Sequence, residues 1–71
     1  MKLSARNVLK GTIGYVERGQ TTAHVLINVH GPIVITASIT NEAVDELKLK
    51  QGQTAYAVIK ASDVMVGIDE G

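Results

Sequence analysis

The chain has 71 residues, one small domain's worth, and no cysteine, so disulfides and thiolate metal sites are excluded. Apolar residues make up 45%, and seven cations balance seven acids. That is too apolar for disorder, and it lacks the basic excess normal for a nucleic-acid binder. A domain this short buries only about 60% of the surface its unfolded form exposes, which leaves self-association as the stabilising route in view.

Residues 9–18 read as a first strand built on Leu9, Thr12, Ile13, Tyr15 and Val16, all β-formers. Gly11 and Gly14 interrupt it and predict a bulge or sharp bend. Arg18-Gly19-Gln20 signals a turn. Residues 22–29 then alternate, with Ala23, Val25, Ile27 and Val29 on one face. His30-Gly31-Pro32 is a second turn, and residues 33–39 alternate again through Ile33, Ile35, Ala37 and Ile39. At Thr40-Asn41-Glu42 the period changes, and a capping residue followed by acid predicts a two-turn helix over 41–48, stopped by Gly52. A fourth strand is expected at 54–60 and a fifth at 64–68.

Five strands with a short helix between the third and fourth predict an all-β chain. The expected architecture is a small five-stranded barrel of the oligonucleotide/oligosaccharide-binding (OB) type, with residues 1–71 as a single domain. Closure would remove exposed strand edges. Some strands are apolar on both faces, as at Leu26, Val34, Tyr56, Val58 and Met65; this favours a subunit interface over scattered surface residues. No run approaches about 18 apolar residues, so no membrane span is expected. Met1-Lys2-Leu3 leads into polar residues rather than a signal-peptide core, so the expected place is the cytoplasm.

Little in the chain suggests catalysis. His24 and His30 are the only histidines, and no further ligands converge with them. A His24, Ser62, Asp63 triad exists on paper but has no nucleophile elbow or oriented base. Asp45-Glu46 and Asp69-Glu70 read as solvated faces. No enzyme activity and no redox cofactor are expected. Three polar or cationic clusters remain: Ser4-Ala5-Arg6-Asn7, Lys60-Ala61-Ser62 and Thr40-Asn41-Glu42. Each sits at the edge of an element. Arg offers a planar donor fork, Lys a point charge, Ser a directional hydroxyl. Together they suit a tetrahedral oxyanion, with Glu42 and Asp63 as opposing charges.

At these residues the chain resembles the molybdenum-pterin-binding (Mop) family, the molbindins. The carrying motifs are Ser4-Ala5-Arg6-Asn7 with Leu9-Lys10-Gly11, then Ile35-Thr36-Ala37, Ile39-Thr40 and Val44-Asp45-Glu46-Leu47. Ala55 to Met65 completes the series. The resemblance implies a homohexamer of OB-like barrels holding molybdate or tungstate at subunit interfaces, for storage, buffering or delivery. It implies a first binding segment in Ser4, Ala5, Arg6 and Asn7, a second in Lys60, Ala61 and Ser62, and a further contact at Thr40 and Ala43. Gln20, Thr21 and Thr22 are candidates for a second kind of site. With Met1 directly ahead of the motif and Gly71 closing the chain, a free-standing single-domain form is expected. The His30-Gly31-Pro32 turn departs from the family's Gly-rich turn, and no residue makes a pterin pocket. Two other readings stay open: a nucleic-acid-binding barrel, which needs aromatic platforms and a basic groove, and a purely structural oligomerisation module.

Overall fold

The computed structural model describes residue 4 and residues 6–69. Four strands, β1 (Asn7–Arg18), β2 (Thr22–His30), β3 (Ile33–Thr40) and β4 (Thr54–Ile59), form one antiparallel sheet in the order β3-β2-β1-β4. The single helix α1 (Asn41–Leu47) lies between β3 and β4, and a 3-10 turn (Ala61–Asp63) follows β4. The alternation read from the sequence sets the inner face. Ala23, Val25 and Ile27 of β2, Ile13 of β1, Ala57 of β4 and Val44 of α1 are buried together.

The predicted bulge is present in β1, where the register against β2 shifts between Ile13 and Tyr15. The backbone approaches closely at Gly11, and the Asn28 side chain lies over Gly14. A Cβ on Gly14 would stand 2.8 Å from Asn28 Nδ2, and one on Gly11 would stand 2.5 Å from the Asn28 carbonyl oxygen. The bulge keeps Ile13 and Val16 on the inner side and turns Tyr15 outward, which bends the sheet.

Helix α1 begins as the sequence predicts. Thr40 is extended (φ −73°, ψ 152°), and its hydroxyl accepts from the Ala43 N–H at 3.0 Å. Its end differs from the expected stop at Gly52. Lys48 takes the left-handed conformation (φ 53°, ψ 46°), and the Leu49 N–H reaches back to the Val44 carbonyl at 3.1 Å. Gly52 instead turns the chain into β4, with φ 87°. Loss of the Thr40 cap in Thr40→Ala is expected to destabilise the protein by about 1 kcal/mol. Calorimetry without added anion should show a melting temperature lower by about 4–8 °C.

The fifth strand expected at 64–68 is not formed. Residues 64–69 have no ladder partner, and Val64, Met65, Val66 and Ile68 are exposed by 49%, 93%, 91% and 86%. High β-propensity makes no strand without a neighbouring edge to bond to. The sheet is therefore a curled half-barrel. Its concave side holds an open groove of about 670 Å³ lined by apolar residues including Ile27, Ile35, Ile39, Leu49 and Ile59.

Candidate functional site

The β1–β4 pairing brings the first two polar clusters together. Asn7 pairs with Ile59 at the end of the ladder, and Asn7 Nδ2 donates to the Ile59 carbonyl at 3.2 Å. Arg6 and Lys60 each lie one position outside that last pair. Ser4, Arg6, Lys60, Ala61 and Ser62 are all exposed there; Ala5 lies outside the described residues. The 3-10 turn folds the chain just after Lys60, with the Asp63 N–H on the Lys60 carbonyl at 2.9 Å and the Val64 N–H on the Ala61 carbonyl at 3.3 Å. Among the described residues the one ion pair is Arg18 with Asp45. Arg6 and Lys60 are exposed, and neither pairs with a carboxylate among the described residues.

The third cluster lies elsewhere. Thr40 pairs with Thr22 at the far end of the β2–β3 ladder. That end of the sheet is where β1 finishes at Arg18, up to about 36 Å along the strand from Asn7. A single chain thus separates Thr40 and Ala43 from Arg6 and Lys60. The Ala43 N–H is already used by the Thr40 hydroxyl. The hydroxyl's own proton remains free to donate, since accepting uses only a lone pair.

Gln20, Thr21 and Thr22 cluster at this same far end. The Asn41 N–H donates to the Thr21 carbonyl at 2.9 Å, Asn41 Nδ2 to the Gly19 carbonyl at 3.0 Å, and the Gly19 N–H to the Thr22 carbonyl at 2.7 Å. Arg18 reaches over to pair with Asp45 on α1. This bracing of the β1–β2 turn against α1 was not read from the sequence. An Asn directly after a Thr cap, facing a Gly-containing turn, was the available signal. Asn41 Oδ1 is buried without a partner among the described residues. It is an acceptor, so that spot calls for a donor rather than an anion.

Magnitudes decide how such a site can work. Two unit charges 4 Å apart attract by about 1 kcal/mol in water and about 4 kcal/mol near a covered protein surface. Arg6 and Lys60 on an open edge sit near the first limit. Covering them moves them toward the second.

A family model described as the TOBE domain matches residues 3–66. A probable molybdenum-pterin-binding protein of Haemophilus influenzae is 46% identical over 69 residues, covering 97% of this chain and 100% of that protein. The molybdenum transport protein ModE of Herbaspirillum seropedicae is 48% identical over 68 residues, and the match spans 96% of this chain but only 25% of that relative. Among solved structures, the cytoplasmic molybdate-binding protein ModG, in a form with molybdate bound, superposes with a TM-score of 0.92 at 48% identity. That match covers 97% of this chain and 49% of ModG.

Proposed function

The chain belongs to the TOBE-domain family, within its molybdenum-pterin-binding branch, and from that premise we propose that it binds molybdate or tungstate for storage, buffering or delivery. The observation that carries the reading is the pairing of Asn7 with Ile59, the last of the β1–β4 ladder; continued by one step it would set Arg6 beside Lys60, with Ser4 and Ser62 on the flanks. In this role Arg6 and Lys60 meet the two negative charges, and the Ser4 and Ser62 hydroxyls and the Ala61 N–H point donors at the oxygens. Asn7, by holding the Ile59 carbonyl, fixes the two segments against each other. Ala5 belongs to the same segment. No bond is made or broken, so the protein acts as a carrier and needs no redox cofactor.

A homo-oligomer, a hexamer on the family pattern, completes the site. Thr40 and Ala43 belong to it only if a second copy delivers them, because their own chain holds them at the opposite end of the sheet. Gln20, Thr21 and Thr22 would form a second kind of site where such ends meet. Two uncovered features support assembly: the apolar groove and the exposed Val64–Ile68 segment. The segment of one copy is suited to the groove of another. Residues 1–71 act as one unit in this reading, in the cytoplasm. No helix among the described residues is long and apolar enough to cross a membrane.

Native mass spectrometry with and without molybdate, tungstate and sulfate tests this directly. The expected result is an oligomer that gains molybdate or tungstate but not sulfate. A monomer, or an oligomer indifferent to all three, would sink the proposal; the second outcome favours a purely structural module.

A further inference from the structure

The outward face of the sheet where β1 meets β4 carries a charge pattern that the binding segments do not account for. Even-numbered residues point outward there, in the register Val8 opposite Val58 and Lys10 opposite Tyr56, with Arg6 and Lys60 one step beyond the last pair. Arg6, Lys10 and Lys60 are all exposed. Among the described residues none of them is in an ion pair. The rest of that face on β1 and β4 is neutral: Val8, Val58, Tyr56, Thr12 and Thr54. Its nearest outward acid on β1 is Glu17, beyond the bulge and opposite His24. Asp63, in the 3-10 turn after Lys60, is an acid at the near end. A chain with zero net charge thus has a one-signed strip leading to the Arg6–Lys60 end.

We propose that Lys10 steers the oxyanion to the site without touching it. The inference rests on the oxyanion reading given above. Lys10 lies four residues from Arg6, about 13 Å along an extended strand. With both side chains standing perpendicular to the sheet, that separation holds Lys10 out of hydrogen-bond reach of an anion on Arg6, yet within range of an unscreened field. The Debye length is about 30 Å at 0.01 M salt and about 8 Å at physiological ionic strength. The contribution of Lys10 is therefore large in dilute salt and nearly absent in physiological salt. A direct ligand would behave differently, because short contacts in a covered site are screened far less.

Isothermal titration of the intact protein with sodium molybdate, at about 0.01 M and about 0.15 M salt, separates the two. Lys10→Gln is expected to weaken binding about two- to threefold at the lower salt, and Lys10→Glu about fivefold. Both should match the parent protein at the higher salt, and Lys10→Arg should match it throughout. Affinity of Lys10→Glu unchanged at low salt overturns the proposal. So does a loss of about tenfold or more that persists at the higher salt, since that marks a contact. Absence of molybdate binding by the parent protein is a separate outcome, and it overturns the oxyanion reading itself.

Discussion

Arg6→Ala/Lys60→Ala is expected to abolish the rise in melting temperature that molybdate gives the parent protein. Anion bound only by the folded, assembled state stabilises it by RT ln(1 + [L]/Kd), about 2.7 kcal/mol at a hundredfold excess over Kd. For a domain of this size that is a shift on the order of 10 °C. A dianion cannot be covered without compensating charge and donors. Removing both cations leaves only serine hydroxyls and backbone N–H groups facing it. Both side chains are exposed and make no ion pair among the described residues, so the unliganded variant should melt close to the parent. Scanning calorimetry over a molybdate series reads both quantities. A variant that retains the full shift would place the anion elsewhere.

Ending the chain after Asp63 is expected to have the largest effect on assembly. It removes Val64, Met65, Val66 and Ile68, four apolar side chains that the single chain leaves exposed. Full burial of each contributes about 1.5–3 kcal/mol, and a reciprocal exchange counts the set twice. At full burial that reaches about 12–24 kcal/mol, enough to offset the entropic cost of association, about 4–15 kcal/mol. Without these residues the groove of each copy loses its proposed occupant. Sedimentation or native mass spectrometry should find monomer, and molybdate affinity should fall with assembly. The point variant Val66→Asp guards against a truncation that merely misfolds, and it should give the same dissociation while circular dichroism retains the parent's β signal. A Val66→Asp protein that stays fully assembled would show that other surfaces carry the oligomer.

The four paired strands and the helix start were legible because each is specified locally. Ala23, Val25 and Ile27 alternate with His24, Leu26 and Asn28, and burying the first set fixes the face of β2. Thr40 caps α1 through its own hydroxyl, three residues from its donor. Gly11 and Gly14 flank the bulged stretch, and at Gly11 the Asn28 carbonyl leaves no room for a Cβ. The helix ends within a residue of the expected 48, but a lysine, Lys48, rather than Gly52 supplies the left-handed turn that glycine more often takes. The fifth strand was misplaced for a broader reason. The composition of residues 64–68 describes what the segment can do, while a strand exists only when another edge is present to bond it.

The candidate site divides the same way. Residue types marked Arg6, Lys60 and the serines as candidate oxyanion donors, and the family resemblance supplied the anion. That the Arg6 and Lys60 segments meet at one end of the sheet, though 54 positions apart in the chain, follows only from the β1–β4 register, which pairs Asn7 with Ile59. That Thr40 and Ala43 stand far from both follows from the β2–β3 register.

By itself, then, the sequence determined the local alphabet of this protein: its alternating strands, its capped helix, its chemistry-bearing residues and its lack of any disulfide. The tertiary structure decided which distant residues share an edge and which apolar surfaces one chain leaves uncovered. The physical reason is that side-chain periodicity and capping act over a few neighbouring residues. Ladder partners and burial are properties of surfaces brought together from far along the chain.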